Sequence, residues 1–388
     1  MVTLKHLSVK DHDEGSAPQL VEAGSSETPG NRHRRTEPRE FFLNQWVPQD
    51  MHQQKNFALS FVLLLGCYSA LLVPAYLPTQ QPIWSERTTE ESMALLNRSA
   101  ALLSQACSSS WSTARLSTVP QFRSLLDIPV FLQNKTGHWE LAPPLGLQGS
   151  EEPLARTLRA LPHSGLPSIQ KSCRRCVVVG SGGVLHGKQL GAHIDKYDII
   201  IRMNNAPVFG FEKDAGSRTT IRLMYPEGAP FLKREYQKTD IIALVVFKSL
   251  DLDWLTSVVT KKPLSWWSKL WFWKGVVHEI PLQPETFRIL NPEILKRTWH
   301  LLTCTKQQNK TVPTLGISAV VLALQLCDEV SLAGFGYDLQ QPGAPLHYYE
   351  TVRMDAMMTQ VVHDVSAESS LLQELIKARA VHDLTGAL

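Results

Sequence analysis

The sequence predicts an α/β domain built on a mostly parallel sheet flanked by helices, and three observations predict it. After Lys171 the chain breaks into short β-branched runs separated by Gly, Asn and Asp. Several of those runs are apolar on both faces, as strands covered by helices on each side must be. Apolar helical stretches lie between them, Thr314 to Cys327 being the clearest. With 388 residues the chain has room for one large domain or two ordinary ones plus accessories. Its 43% hydrophobic and 19% charged residues, with 22 Gly and 24 Pro, exclude collagen-like, coiled-coil and wholly disordered chains. A net charge of +3 is too small to argue for nucleic acid, which needs Lys and Arg clustered on one face.

In chain order, residues 57–77 read FALSFVLLLGCYSALLVPAYL, without a charged side chain. At about 1.5 Å per residue such a helix crosses a hydrocarbon core of about 30 Å. The segment lies too far from the start for a cleaved signal peptide and is apolar all round, so it reads as a signal anchor. Arg32, Arg34, Arg35, Arg39 and Lys55 precede it, against Arg87 and Arg98 after it, which puts residues 1–56 in the cytosol as a disordered tail. Three N-glycosylation triplets, at Asn97, Asn134 and Asn309, all fall on the far side. So do five of the six cysteines, Cys67 alone lying in the anchor, and in an oxidising lumen five thiols imply two disulfides and one left over. Cys173 and Cys176 form a C-x-x-C, but no other ligand pair supports zinc and no redox-site context supports a dithiol.

Residues 78–167 are rich in Ser, Thr, Pro and Gln, with a helical patch from Glu90 to Ala106, and read as a stem. Residues 168–388 form the predicted domain. Its strands are Arg175–Gly180, Tyr197–Met203, Thr219–Tyr225, Asp240–Phe247, Phe287–Leu290 and Glu329–Gly334, with a helix over Thr314–Cys327.

Ligands of such sheets bind at the carboxyl ends of the strands. Gly180-Ser181-Gly182-Gly183 follows the first strand, either as a phosphate cradle or as a tight turn. Leu185 stands where a dinucleotide fingerprint needs its third glycine, which argues against a nicotinamide dehydrogenase. Asn204 and Asn205 offer amides at the second strand end. Pro313-Thr314-Leu315-Gly316 opens a helix whose free N–H groups suit an anion. Asp251-Leu-Asp253 matches the D-x-D that holds a divalent metal in many nucleotide-sugar transferases, yet Trp254 and an apolar helical pattern follow, favouring a helix-capping role. His347 and His363 then fall in one short stretch; an imidazole can take a proton from a hydroxyl or, charged, pair with a phosphate.

These residues carry a resemblance. The stretch CVVVGSGGVLHGKQLGAHIDKYDIIIRMNNAPVFGFEKDAGSRTT resembles the large motif of eukaryotic sialyltransferases, and PTLGISAVVLALQLCDEVSLAGFGYD resembles the small one. HYYE resembles the third motif, and His363 with Glu368 the very small motif HxxxxE. HYYE, GFGYD and YPEGAP are most similar to the alpha-2,3 branch acting on galactose, and LHGKQLG, WFWK and IPLQPETFRILNP to its members acting on lactosylceramide in ganglioside synthesis. Asp214 stands where mammalian members of that group carry His, and Ser181 where many relatives carry Asn.

The resemblance implies a type II Golgi membrane protein with a luminal catalytic domain, in a metal-independent variant of the nucleotide-sugar transferase fold. It implies CMP-sialic acid as donor, no cofactor and no metal, with Ser181, Asn204, Thr314, Leu315, Gly316 and Gly336 at the donor. His347 would stabilise the departing phosphate and His363 would be the general base. A Cys176–Cys327 bridge is implied, with Cys107–Cys173 as the second, leaving Cys304. The implied partners are a galactose-terminated glycolipid, lactosylceramide, and the Golgi membrane, with a homodimer or a complex with other glycosyltransferases as a further association. A glycoprotein acceptor with N-acetyllactosamine termini is the nearest alternative, and a silent membrane lectin a remoter one. Finally, KKPLSWWSKLWFWK, residues 261–274, has the composition of a membrane-interface segment, or else walls the acceptor site or fills core.

Overall fold

A computed structural model describes residues 89–132, 139–162, 172–303, 311–337, 341–358 and 362–388. The anchor and tail, Asn134, Asn309 and Cys304 lie outside the described residues. Among those described, no helix is long and apolar enough to cross a membrane.

Seven parallel strands form one sheet: β1 Arg175–Val179, β2 Ile199–Met203, β3 Thr219–Met224, β4 Thr239–Leu244, β5 Phe287–Ile289, β6 Glu329–Ala333 and β7 Val381–Asp383. Their order is β5-β4-β3-β2-β1-β6-β7, so the chain winds outward from β1 in one direction, then crosses back to lay β6 on β1's other side. β1 therefore pairs with both, Val177 opposite Ile200 of β2 and opposite Ser331 of β6. Every residue of β2 and β3 is buried, because side chains alternate between two covered faces. Cys176, Val178, Ile199, Ile201, Ile221 and Leu223 join one core, while Val177, Val179 and Ile200 join another on the opposite face.

The helices of eight residues or more are α1 Thr89–Ser104, α2 Trp111–Thr118, α3 Glu151–Ala160, α4 Ser249–Thr260, α5 Glu293–Thr303, α6 Leu315–Leu326 and α7 Val365–Lys377. Helix α6, LGISAVVLALQL, has no polar face to give to water and is buried nearly throughout. It lies across β1, β2, β3 and β6, the crossover that returns the chain to the centre. Cys327 ends α6 and Cys176 opens β1; a disulfide joins them, with Cα atoms 5.8 Å apart. A second disulfide joins Cys107 to Cys173.

The compositional boundary at residue 167 does not mark where packing begins. Leu116 of α2, with Phe122, Leu125, Ile128 and Phe131 after it, belongs to the same core as β1, β2 and β3. The Trp111 indole donates to the Arg379 carbonyl at 2.9 Å and the Ser112 hydroxyl to the Ala380 carbonyl at 2.8 Å, which fasten α2 beside β7. Helix α3 rests on α4 through Thr157, whose hydroxyl is 2.9 Å from that of Thr256. The Ser, Thr and Gln that dominate the composition lie mostly on exposed positions here, and the sparse apolar residues between them face inward. Strand β7, three residues with a histidine at its centre, is too short to carry a period-two signal and was not expected.

The Cys176–Cys327 bridge closes a separation of 151 residues across the middle of the sheet. Replacing both by Ser should cost about 2–5 kcal/mol of stability, seen as a lower melting temperature. It should also weaken binding of CMP, the ligand that the sequence resemblance implies, whereas Cys107→Ser/Cys173→Ser should lower the melting temperature and leave CMP affinity within about two-fold. Equal effects of the two pairs on CMP affinity would contradict a role for the Cys176–Cys327 bridge in supporting the loops after β1 and β6.

Candidate active site

The reversal in strand order between β1 and β6 opens a crevice at their carboxyl ends, where open α/β sheets bind ligands. Both loops there are rich in glycine, and they touch. Gly180 N–H donates to the Ala333 carbonyl at 2.7 Å and Gly182 N–H to the Gly334 carbonyl at 3.0 Å. A Cβ on Gly180 would stand 2.4 Å from the Gly334 oxygen, so no other residue fits without separating the loops. Gly334 has φ +73° and Gly336 φ +110°, conformations that glycine adopts without strain.

The segment carrying His347 closes on the same loop. Gly182 and His347 form an antiparallel bridge, and Tyr348 N–H donates to the Ser181 carbonyl at 3.0 Å. The Ser181 hydroxyl shares a hydrogen bond with the Tyr349 phenol, whose pKa burial pushes up. The His347 ring lies parallel to Tyr349, centroids 5.4 Å apart, and its Nδ1 meets the Glu350 carboxylate. Ring stacking and a carboxylate at Nδ1 together fix the imidazole's orientation.

Asn204 follows β2 with φ +49°, a left-handed conformation that Asn tolerates better than most residues. Its Oδ1 is buried and has no hydrogen-bond partner in the protein, and a Cβ on Gly228 would lie 2.2 Å from it. An orphaned buried acceptor calls for an explanation, and a ligand donor such as a sugar hydroxyl or base amine is one that would satisfy it. The backbone that follows is gripped from three sides. Arg222 donates to the Asn204 and Ala206 carbonyls at 2.7 and 3.0 Å, Tyr348 to the Pro207 carbonyl at 2.6 Å, and Glu235 accepts from Val208 and Phe209 N–H at 2.9 and 3.3 Å.

Thr314 caps α6, its hydroxyl accepting from Ile317 N–H. The Glu368 carboxyl clasps this cap, taking Thr314 N–H at 2.7 Å and meeting the Thr314 hydroxyl at 2.5 Å. Burial raises the Glu368 pKa to about 7. Gly316 lies against Phe335, between the two glycines of the β6 loop, while Leu315 turns into the core. His363 is half-buried beside this helix end: Nδ1 lies 2.6 Å from the Val312 carbonyl, to which it can only donate, and Val312 N–H donates to Val362. The acceptor nitrogen of that tautomer is Nε2, and burial lowers the ring's pKa, so the neutral form is favoured.

The D-x-D is built into the frame. Asp251 is fully buried at the start of α4 and accepts from Phe247 and Lys248 N–H at 2.8 and 3.1 Å, and Asp253 pairs with Arg156 of α3 at 2.8 Å. Among the described residues no three His, Cys, Asp or Glu side chains gather as a metal would require. Asp214 accepts from Gly187 and Gln189 N–H at 2.8 and 2.9 Å, holding the LHGKQLG turn. Asn97 is exposed on α1.

The sequence profile of glycosyltransferase family 29, the sialyltransferases, matches residues 131–380. The chain belongs to that family. It is 43% identical over 300 residues to the human lactosylceramide alpha-2,3-sialyltransferase, covering 74% of this chain and 72% of that protein. It is 40% identical over 295 residues to a rat CMP-N-acetylneuraminate-beta-1,4-galactoside alpha-2,3-sialyltransferase, covering 73% and 78%. A solved mammalian sialyltransferase superposes with a TM-score of 0.58 at 29% identity, covering 72% of this chain and 98% of that one. The same TM-score, identity and 72% coverage, with 99% of that chain, hold for a mammalian sialyltransferase complexed with Gal-beta-1-3GalNAc-ortho-nitrophenol.

Several residues around this candidate site were not singled out from the sequence. Glu227 is buried, its Oε1 2.7 Å from the Lys248 ammonium and its Oε2 without a hydrogen-bond partner, next to Gly228 and so to Asn204. Arg222, Glu235 and Glu350 are the others. Charges inside or just after otherwise apolar strands, as in TTIRLMY-PEG, are the signal that marks Arg222 and Glu227.

Glu368 yields a test of the clasp. Its folded pKa of about 7 exceeds its ordinary value of 4.5, so the native state holds a proton that the unfolded chain has released. Stability from this site therefore falls as pH rises from about 4.5 to about 7 and changes no further above that. Glu368→Gln cannot ionise and keeps an oxygen for Thr314 N–H. Its melting temperature should gain on that of the parent as pH is raised across this window; a pH-independent difference would contradict the buried protonated clasp.

Proposed function

We propose that this sialyltransferase moves sialic acid from CMP-sialic acid to the 3-hydroxyl of a terminal galactose, with inversion, and that the galactose belongs to lactosylceramide. The observation that carries the chemistry is the pair of oriented imidazoles, one seated on the glycine loop after β1 and one at the N-terminus of α6. Nε2 of His363 takes the proton of the galactose hydroxyl as its oxygen bonds to the anomeric carbon of sialic acid. The bond from that carbon to the phosphate oxygen breaks, and CMP leaves with the electron pair. His347 and the free N–H groups of α6 meet the charge developing on that phosphate. Ser181, Asn204, Thr314, Gly316 and Gly336 line the donor crevice, and Leu315 holds the helix end from within the core.

The lipid acceptor is supported by the 43% identity to the human lactosylceramide enzyme over 300 residues, against 40% to the galactoside enzyme over 295. We propose further that catalysis needs no metal, since Asp251 and Asp253 are committed to N–H groups, Lys248 and Arg156. Residues 57–77 would anchor the chain in the Golgi membrane with the catalytic domain in the lumen.

His363→Ala should lower kcat by about 10² to 10⁴-fold, with folding checked by its melting temperature. Because burial lowers the His363 pKa in the unliganded protein, the acid limb of the kcat/KM profile should have its midpoint below 6.5; a midpoint above that value contradicts His363 as base. In a side-by-side assay with labelled donor, lactosylceramide should be sialylated more efficiently than an N-acetyllactosamine glycoprotein, and EDTA should leave the rate unchanged. The reverse acceptor order would overturn the lipid reading, and reversible loss with EDTA would overturn the metal-free one.

A further inference from the structure

Residues 261–274 divide sharply between core and solvent. Phe272 is buried in the core beneath α4, while Trp266, Trp267, Leu270, Trp271 and Trp273 are all more than half exposed, Trp271 at 77%. Trp266 and Trp267 stack with centroids 3.9 Å apart on a short helix, Trp266–Lys269, capped by the Ser265 hydroxyl. Phe231 and Leu232, both more than half exposed, extend the patch: Phe231 adjoins Gly275, its ring 4.0 Å from the place of a Cβ there. This is far more apolar surface than scattered exposed side chains account for. Its charge is of one sign, since Lys261, Lys262, Lys269 and Lys274 fall in a stretch with no carboxylate between Asp253 and Glu279, and Glu279 itself pairs with Lys233 at 2.8 Å.

The patch adjoins the active site. The Lys248 ammonium lies over the Phe272 ring at 4.8 Å while it pairs with Glu227, whose neighbour Gly228 abuts Asn204. Lys274 lies over Trp273 at 5.1 Å and close enough to Glu227 and to Glu350, the partner of His347, to feel both charges.

We propose that this patch docks on the bilayer in which the chain's own apolar segment is anchored, and so brings the crevice to the headgroup level of a membrane glycolipid. Indoles prefer the zone where a ring meets hydrocarbon and its N–H meets water, and lysines reach from there to lipid phosphates. A carboxylate-free lysine collar around exposed indoles is complementary to that surface. For its consequence in catalysis the proposal rests on the glycolipid reading above; the docking itself does not.

The test uses the full-length chain reconstituted in phosphatidylcholine vesicles, with Trp46→Phe and Trp84→Phe removing the tryptophans that flank the apolar segment in sequence. Brominated phosphatidylcholine should quench the remaining tryptophan emission, and Trp267→Ser/Trp271→Ser should reduce the quenched signal by at least half. The same pair should lower transfer to lactosylceramide in vesicles about ten-fold and leave transfer to soluble lactose within two-fold, which also reports an intact fold. Absent quenching, or quenching untouched by the two substitutions, overturns the docking. Quenching with equal losses on both acceptors overturns its role in presenting the lipid. Quenching by a parent chain that prefers a glycoprotein acceptor supports the docking and overturns the glycolipid reading instead.

Discussion

The site depends on one backbone contact, the hydrogen-bonded approach of the loop after β1 to the loop after β6. Gly180 and Gly334 face each other too closely for any side chain, and Gly182 N–H donates to the Gly334 carbonyl. Behind them the Cys176–Cys327 disulfide ties the start of β1 to the end of α6, a covalent link between the two elements whose other ends carry the crevice. The parallel winding that reverses at β1 makes these loops neighbours although more than 150 residues separate them. Everything else at the site is fastened to this pair: His347 bridges Gly182, Phe335 packs on Gly316, and Glu368 clasps Thr314.

Buried charge supplies the second layer of support. Arg222 and Glu235 are removed from water, and Nη1 of Arg222 and the Glu235 carboxylate are directed at the backbone from Asn204 to Phe209. Charged partners make stronger hydrogen bonds than neutral ones, and leaving one unpaired here would cost several kcal/mol, about 3–5 by analogy with broken buried pairs. The arrangement holds a loop that contributes no regular secondary structure, with the buried Asn204 amide oxygen unpartnered within the protein. Tyr348 couples this loop to His347 one residue away, so the loop after β2 and the proposed catalytic histidine share one framework.

Much of this was legible in the sequence. Apolar runs such as IIIRM and TTIRLM have one structural use, a strand covered on both faces, and Thr314 before an all-apolar helix has one, an N-cap. The glycine-rich turns could be read because close backbone approach demands glycine. What escaped was set by tertiary contact. Leu116, Phe122 and Leu125 lie among Ser, Thr and Gln, and only the sheet they cover makes them core. Glu235 looks like a solvent residue until the fold buries it, and only the fold shows that Asp251 faces Lys248, three residues before it, and that Asp253 meets Arg156 of α3. Composition at residues 261–274 left core and surface undecided; the burial of Phe272 among four exposed indoles decided it residue by residue.

The most direct measurement is amide hydrogen exchange on the full chain with and without CMP. If the loops after β1, β2 and β6 and the first turn of α6 form one grip, then residues 180–183, 204–206, 314–317 and 334–336 gain protection together, at the same CMP concentration. Protection confined to one of these segments, or appearing around Asp251 and Asp253 instead, would contradict a donor held jointly across the β1–β6 crevice.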